Sequence, residues 1–225
     1  MGQLISGKNS VLEAIKNKVP LKRIYVLKPL TILPEKSVEV VITNKKHLDE
    51  LSNENHQGYV AQMHEFNYFN IEEVFKDKPQ KILILDHIQD PHNLGAIMRT
   101  ANGAGIKHLI IPRDRAAKVT GSVLKVASGG QIGLKIIRVN SLNAVVLTLK
   151  KHHFWIYASG LSEQAIDLTS ITTFNYPLAL IVGSEGKGVA KTLLNASDQV
   201  IKITMKGNVQ SLNVAVATGI MLFKI

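Results

Sequence analysis

A strongly apolar run leads directly into three glycines at residues 178–189, which read LALIVGSEGKGV. The apolar part has the composition of a strand that is buried on both faces of a parallel sheet. Glycines in the turn that follows allow backbone N–H groups to approach a ligand closely. The alternative is a strand-to-helix turn that uses glycine for its geometry alone, and the acidic Glu185 inside the turn argues against it.

Two familiar nucleotide-binding motifs are excluded at this turn by their spacing. A phosphate-binding P-loop requires Lys at the position that Val189 holds. The dinucleotide fingerprint requires Gly at the position that Lys191 holds. Neither kind of nucleotide site is therefore predicted here.

On both sides of this turn, strand-like runs alternate with helical patterns. This alternation indicates an α/β fold with a parallel sheet covered on both faces. In such a sheet the ligand crevice lies beyond the carboxyl ends of the strands. Strands are predicted at 81–86, 108–112, 135–139, 154–159, 178–183 and 200–203, and helices at 94–105, 122–127, 142–151, 189–194 and from 212 onward.

A smaller α/β module precedes this region. Its predicted elements are a helix at 10–16, strands at 23–27 and 38–42, and a helix at 45–52. The stretch that follows mixes acids, Asn and aromatics and ends in a proline, which disfavours a continuous helix. We predict a small domain at 1–66, a linker at 67–79 with a helical turn at 71–75, and a larger domain at 80–225. A surface loop within one domain is the alternative to the linker.

Composition excludes several classes of protein. The 225 residues are 45% hydrophobic, which excludes a disordered chain, and they include no cysteine. The lack of cysteine excludes a disulfide scaffold, a thiolate zinc site and a thiol nucleophile. No apolar run reaches the roughly 18 residues of a membrane span. The first residues lack the basic-then-apolar order of a signal peptide, so a cytoplasmic protein without a membrane partner is expected.

The positive charge of the chain is concentrated in its larger part. Residues 1–78 carry 11 Lys and Arg against 10 Asp and Glu, whereas residues 79–225 carry 16 against 7. The larger part therefore has a net charge of +9 within a total of +10. This balance favours a polyanion as the partner of the larger domain.

Polar residues follow two further predicted strands. Residues 86–101 read DHIQDPHNLGAIMRTA, with Asn93 at a predicted helix start and Arg99 six residues later. The planar fork of an Arg suits a phosphate or a carboxylate. The alternative is that Asn93 is only a helix N-cap and Arg99 a solvated residue.

The second of these loops lies at residues 200–219, which read VIKITMKGNVQSLNVAVATG. A helix of small residues is predicted to begin at Ser211, because Ser is a good N-cap. A capped core helix explains Ser211, but it gives no reason for the polar Asn213.

Taken together, the three loops resemble the three motifs of the SpoU/TrmH family of SPOUT-class RNA 2′-O-ribose methyltransferases, which use S-adenosylmethionine. The resemblance covers residues 81–225 and rests on the Asn93 and Arg99 pair, the GSEGKG turn and the SLNV segment at 211–214. The N-terminal module, which begins SGKNSV at residue 6, is similar to the small substrate-binding domain of the ribosomal-RNA branch. The resemblance implies a parallel sheet with a C-terminal trefoil knot, preceded by a small L30e-like α/β domain.

The resemblance also implies the site residues, a homodimer with the active site at the subunit interface, and chemistry that requires no metal. The residues implied for the S-adenosylmethionine pocket are Gly183, Ser184, Ile203, Met205 and Leu212, with Ser159 as a further candidate. Those implied for catalysis and substrate positioning are Arg99, Asn93, Glu185, Ser211 and Asn213.

Methyl transfer to a ribose 2′-OH requires in-line alignment and help with the hydroxyl proton. An Arg is too basic to take that proton, so Arg99 is expected to grip the adjacent phosphate and favour the developing alkoxide. Glu185 and Asn93 are expected to orient Arg99. The family writes Ile-Pro-Met where this chain has Thr204 between Ile203 and Met205, so a looser pocket wall is expected.

A cluster of cations after the predicted strand at 108–112 is expected to contact RNA, because it belongs to the strongly basic part of the chain. The substrate implied most specifically is a guanosine of 23S ribosomal RNA, favoured over tRNA by the N-terminal module. A tRNA 2′-O-methyltransferase and a non-catalytic RNA-binding or ribosome-assembly factor of the same fold stay open. The cations of the cluster are Arg113, Arg115, Lys118 and Lys125.

Overall fold

The computed structural model of the chain describes residues 4–162 and 164–225. The chain forms two compact units. The first takes the residues up to Asn67 together with Val119–Gly129, and the second takes Tyr68–Lys118 and Gly130–Ile225. The first boundary is one residue from the predicted one. Val119–Gly129 belongs to the first unit, whereas the sequence predicted one continuous larger domain from residue 80. The prediction missed this because no local pattern in the segment indicates where it packs.

The first unit is built on a four-stranded sheet of order β1-β4-β2-β3, in which only β2 and β3 are parallel. Tyr25, Leu48 and Val60 form a small buried cluster on it. The inner strand β4 was not among the predicted elements. The elements of this unit are β1 (Leu4–Ser6), α1 (Lys8–Lys16), β2 (Leu21–Val26), β3 (Glu39–Ile42), α2 (Lys45–Leu51), β4 (Tyr59–Met63) and, in chain order, α5 (Gly121–Ala127).

The second unit contains a seven-stranded sheet, and all of its neighbouring strands are parallel. This confirms the predicted α/β fold with a parallel sheet. The strand order is β7-β6-β5-β10-β8-β11-β9. The strands are β5 (Lys81–Asp86), β6 (His108–Pro112), β7 (Lys135–Val139), β8 (Trp155–Ser159), β9 (Ile166–Asp167), β10 (Leu178–Gly183) and β11 (Gln199–Lys202). The helices are α3 (Glu72–Asp77), α4 (Pro91–Gly103), α6 (Leu142–Lys151), α7 (Lys191–Ala196) and α8 (Val214–Lys224).

The apolar run at 178–183 becomes the central strand of this sheet. Every residue of β10 is buried, and β10 pairs with β5 from Leu178 opposite Lys81 to Gly183 opposite Asp86. Because β5 and β10 are buried on both faces, neither strand alternates apolar and polar residues. The register also brings the loops after Asp86 and Gly183 side by side at one edge of the sheet.

The predicted linker is packed on the second unit from Tyr68 onward. The N–H of Phe69 donates to the carbonyl of Ile136 at 2.8 Å. The Nζ of Lys135 lies 2.6 Å from a carboxylate oxygen of Glu73 and 2.6 Å from one of Asp77, both on α3. The hydrogen bond with Lys135 lowers the pKa of Asp77, and the hydrogen bond with Asp77 raises the pKa of Lys135. These contacts hold residues 68–78 against β7, so this stretch is not a free connector.

The two helices that flank the site begin differently from prediction. Helix α4 begins at Pro91, and the carboxylate of Asp90 caps it by accepting from the N–H groups of His92 and Asn93. Helix α8 begins at Val214, and its cap is Asn213 and not Ser211. Asp90 and Asn213 are the N-caps because their side chains accept from the first free N–H groups of the two helices. Asn93 is thereby left free for a role other than capping.

None of the helices within residues 4–162 and 164–225 is long and apolar enough to cross a membrane.

Candidate active site

The candidate site lies at the carboxyl ends of adjacent strands in the second unit. The loop after β5, the turn after β10 and the start of α8 enclose a cleft of about 450 Å³. Asn93, Glu185 and Val214 line it, one from each of the three loops that the sequence singles out. The pairing of β5 with β10 therefore brings together segments that are more than ninety residues apart along the chain.

Backbone packing fixes the turn after β10. The N–H of Gly188 donates to the carbonyl of Ser184 at 2.8 Å, which closes the turn back on itself. Gly188 has a φ of 65°, a conformation that favours glycine. A Cβ on Gly183 would lie only 2.0 Å from the carbonyl carbon of Gly188. The two glycines thus allow the turn to fold tightly against its own strand.

The polar residues Asn93, Glu185 and Asn213 form one network. The amide nitrogen of Asn213 donates to the Oδ1 of Asn93 at 2.8 Å and to the Oε1 of Glu185 at 3.2 Å. The amide of Asn93 makes a longer contact of 3.5 Å with the Oε2 of Glu185. The Oδ1 of Asn213 also accepts from the N–H of Ala215 at the start of α8. A carboxylate held by two amides is a fixed acceptor for a hydroxyl or an amine.

A second polar pair, which the sequence reasoning missed, lines the same cleft. Asp86 is buried, and its Oδ2 accepts from the N–H of Ala190 at 2.6 Å. Its Oδ1 pairs with the Nδ1 of His87 at 2.5 Å, and His87 lines the cleft. An imidazole held by a buried carboxylate is suited to accepting a proton. An acidic residue at the end of an otherwise apolar strand was the available signal in the sequence.

Arg99 and Ser211 lie outside this network. Arg99 is exposed on α4 and makes no hydrogen bond or ion pair within the part of the chain that the structure describes. Six residues along a helix correspond to a rotation of about 240°, so Arg99 does not share the face of Asn93. Glu185 and Asn93 therefore bind Asn213 and do not orient Arg99 within one chain. Ser211 lies exposed in the segment before α8.

The residues expected to bind the cofactor follow three neighbouring strands. Gly183 ends β10 and Ser184 follows it, Ser159 ends β8, and Ile203 follows β11 directly. These strands are adjacent in the order β10-β8-β11, so their carboxyl ends share one edge. Ile203, together with Met205 and Leu212 in the segment that leads to α8, is partly buried. Part of the apolar surface of these three side chains therefore stays exposed.

The Thr204 that departs from the family pattern is held in place by Asp167. β9 and β11 pair with Asp167 opposite Lys202, two residues before Thr204. Hydrogen bonds from Thr169 and from the hydroxyl and N–H of Thr204 lower the pKa of the Asp167 carboxyl to about 2. Proline at residue 204 would offer neither donor. Thr204 was expected to loosen the pocket wall, but its hydrogen bonds to Asp167 hold this segment against β9.

The four cations expected to contact RNA are divided between the two units. Arg113, Arg115 and Lys118 are exposed in the loop after β6, and Arg115 lines the candidate cleft. Lys125 lies on α5 in the first unit, where its Nζ is 3.6 Å from a carboxylate oxygen of Glu13. The sequence brought these residues together only because they are neighbours along the chain.

No group of three or more His, Asp or Glu side chains suited to a metal ion occurs among the described residues.

Comparison with known protein families accounts for nearly the whole chain. The model of the SpoU rRNA methylase family matches residues 80–223. A second model, described as RNA 2′-O ribose methyltransferase substrate binding, matches residues 4–69. Because the first match covers most of the chain, the protein belongs to the SpoU/TrmH family of RNA methyltransferases. The resemblance seen in the motifs is confirmed at this level, and the small N-terminal module is confirmed as a substrate-binding domain.

Individual relatives extend this result. The chain is 31% identical to YacO of Bacillus subtilis (strain 168), which is assigned to the TrmH family of tRNA/rRNA methyltransferases, over 98% of this chain and 94% of YacO. The fold matches an AdoMet-bound rRNA methyltransferase from Sinorhizobium meliloti with a TM-score of 0.73, at 23% identity over 99% of this chain and 86% of that one. It also matches the SpoU methyltransferase AviRb from Streptomyces viridochromogenes, solved with AdoMet, with a TM-score of 0.73 and 20% identity over 98% and 88% of the chains.

Proposed function

We propose that the protein transfers a methyl group from S-adenosylmethionine to a ribose 2′-OH of RNA, and that its substrate is a guanosine of 23S ribosomal RNA. The observation that carries this proposal is the Asn93–Glu185–Asn213 network, of which Asn93 and Glu185 line the cleft at the turn after Gly183. Membership of the family supports methyl transfer, and the match of residues 4–69 to a 2′-O ribose substrate-binding model supports the ribose.

The residues at the three strand ends fit S-adenosylmethionine. Ile203, Met205 and Leu212 leave part of their apolar surface exposed, as an adenine ring requires. Gly183 ends β10, two strands from β11, so the glycine turn lies at the same edge of the sheet as Ile203. When bound, the cofactor supplies a sulfonium methyl carbon that a hydroxyl can attack in line. Two solved relatives of the same fold carry AdoMet, which supports this assignment.

The chain's own residues position the hydroxyl and stabilise its charge. Glu185, fixed by its two amide partners, accepts from the ribose and holds it in the cleft. His87, held by Asp86, lines the cleft and is assigned to take the 2′-OH proton. Arg99 does not line this cleft within one chain. In the homodimer proposed below, it reaches the cleft of the other subunit, where it grips the adjacent phosphate and favours the developing alkoxide. The new bond joins the ribose oxygen to the methyl carbon, and the carbon–sulfur bond breaks.

The direct test supplies radiolabelled S-adenosylmethionine with unmodified large-subunit rRNA and, separately, with bulk tRNA. We expect label on the ribose of one guanosine in the rRNA, located by nuclease mapping. Label in tRNA alone would support the same reaction with tRNA as the substrate, which is the second candidate function. Absence of label from both RNAs, together with absence of cofactor binding by calorimetry, would favour a non-catalytic RNA-binding or ribosome-assembly factor.

The tie between Thr204 and Asp167 gives a prediction for cofactor affinity. We expect Asp167→Asn and Thr204→Pro each to weaken binding of S-adenosylmethionine about three- to tenfold, because Ile203 and Met205 lose their anchor. Calorimetric titration measures this change. Thr172→Val, which alters an exposed Thr of the same unit, is the control and should bind like the natural protein. Equal affinity in all four proteins would contradict the prediction.

The same tie predicts the direction of a pH effect on stability. The pKa of Asp167 is lowered to about 2 in the folded chain. Its ionised carboxylate therefore contributes fully to the free energy of unfolding at any pH above the ordinary pKa range of Asp. The contribution is lost as the pH falls from that range through 2. The difference in melting temperature between the natural protein and Asp167→Asn is therefore expected to stay constant from neutral pH to about pH 5.

We further propose a homodimer formed through α8. Val216, Ile220 and Phe223 form an apolar stripe on this helix, with exposed fractions of 53%, 43% and 70%. We expect Phe223→Glu to shift the mass measured by light scattering from dimer to monomer and to lower methyl transfer, since the family's active site lies at the subunit interface. Leu147→Glu, at a half-exposed Leu on α6, is the matched control. A dimer that survives Phe223→Glu unchanged would exclude this face.

Two features of the fold also remain proposals. We propose that the segment from Ile203 to α8 threads the trefoil knot, which the position of β10 between the earlier strands β5 and β8 supports. We propose an L30e-like fold for the first unit, which its α/β composition and its four-stranded sheet support.

A further inference from the structure

A second cleft, of about 650 Å³, lies beside the candidate active site at the carboxyl ends of β6 and β7. Its walls are the segment before α3, the residue after β6, the end of β7 and the first turns of α6. The residues that matter for its chemistry are Glu72, Arg113, Arg138, Asn140 and Ser141.

The cleft is built around two guanidinium groups. The Nη2 of Arg138 donates to the carbonyl oxygen of Arg113 at 2.7 Å. The guanidinium of Arg138 also lies over the ring of Tyr68, 4.8 Å from its centroid. These contacts fix the plane of one guanidinium beside the backbone that carries the other.

Folding leaves the charge of these groups uncompensated. Neither Arg113 nor Arg138 forms an ion pair within the described residues, and the Nε of Arg138 is buried there without a hydrogen-bond partner. A buried donor without a partner destabilises the fold, so such an arrangement calls for another reason to exist. The fixed guanidinium of Arg138 and the exposed guanidinium of Arg113, which line the same cleft, attract an anion from solution.

The position of the cleft connects it to the candidate active site. β7, β6, β5 and β10 are consecutive in the sheet, so the ends of β7 and β5 are about 10 Å apart. Arg115, two residues after Arg113, already lines the active-site cleft. Arg138, Arg113 and Arg115 therefore mark a cationic line along one edge of the sheet.

We propose that this second cleft binds a phosphodiester of the substrate RNA that flanks the methylated nucleotide. The proposal rests on the proposed function and adds to it the path of the strand. Arg113 and Arg138 grip the phosphate, and the amide of Asn140 and the hydroxyl of Ser141 contact the neighbouring sugar. The carboxylate of Glu72 repels the phosphate from its side of the cleft, which places the phosphate toward Arg113.

The test measures RNA binding of the full chain across a range of salt concentrations, without S-adenosylmethionine. The probes are unmodified large-subunit rRNA and, separately, bulk tRNA. We expect Arg113→Gln and Arg138→Gln each to weaken binding of the preferred RNA about tenfold. Each should lower the salt slope by roughly 0.7. Arg113→Gln keeps the test valid if Arg138→Gln disturbs the fold, because the side chain of Arg113 is exposed.

Lys107→Gln is the matched control, since it removes the same charge from an exposed residue before the amino end of β6. Equal affinities and slopes for all three variants would overturn the proposal. Binding of inorganic phosphate that depends on Arg138, with RNA binding unchanged, would assign the cleft to a free anion and would also overturn it. Arginine-dependent RNA binding in a protein that methylates no RNA would refute the proposed function and support this cleft.

Discussion

Gly183→Ala is expected to abolish binding of S-adenosylmethionine and to lower methyl transfer by about 10²-fold or more. The added Cβ would lie 2.0 Å from the carbonyl carbon of Gly188 and 2.1 Å from the nitrogen of Val189. No side-chain rotation relieves a clash with backbone, so the turn must move away from its strand. A displacement of about 1 Å in a positioning element is enough for a loss of this size. Calorimetry and the radiolabel assay measure the two effects.

Stability and a matched glycine separate this effect from general damage. Overpacking at Gly183 is expected to cost about 1–3 kcal/mol of unfolding free energy, which thermal unfolding will detect. Gly207→Ala is the control, because a Cβ there meets nothing within 4 Å and the residue has no positive φ. Cofactor affinity that is equal in the two variants would show that the turn at Gly183 is not part of the pocket.

Arg99→Ala is expected to lower methyl transfer by about 10²- to 10³-fold, the usual effect of removing one group that stabilises transition-state charge. RNA binding is expected to be partly kept, because other cations contact the phosphates. The melting temperature is expected to stay unchanged, since Arg99 is exposed and unpaired within the described residues. Single-turnover methylation and RNA binding at fixed salt measure the two sides of this prediction.

The conservative variant tests the role of the guanidinium itself. Arg99→Lys keeps the charge and loses the planar fork, so a rate between those of the natural protein and Arg99→Ala is expected. An equal loss in RNA binding and in methyl transfer would assign Arg99 to binding alone. Unchanged methyl transfer in Arg99→Ala would remove Arg99 from the site.

Much of the larger unit was predictable because its signals are local. The strands at 81–86, 108–112, 135–139 and 178–183 have the predicted bounds, since continuous apolar runs between polar turns are hard to misplace. The short strands β1 and β9 lack such runs and were missed. Helix starts were also misplaced, because Ser211 and Asn213 are both good caps and only the packed chain selects between them.

The linker shows the limit of composition as a guide. Acids and aromatics near Pro79 are typical of a surface connector, yet Glu73 and Asp77 pair with Lys135, some sixty residues later. The sequence contains these charges, but their pairing depends on where α3 packs. Asp86 and His87 were overlooked for the same reason, since their importance comes from the partner at Ala190.

The sequence by itself determined the class of fold, the family and the polar residues of its three motifs, because hydrophobic periodicity and short motifs are local properties. Only the tertiary structure decided how those residues act. In the folded chain, Asn213 binds both Asn93 and Glu185, and Arg99 lies apart from them. Lys125 belongs to the first unit, and Thr204 donates to Asp167. These outcomes depend on strand order and on the rotation of each helix, which residues distant in the chain settle jointly as they pack.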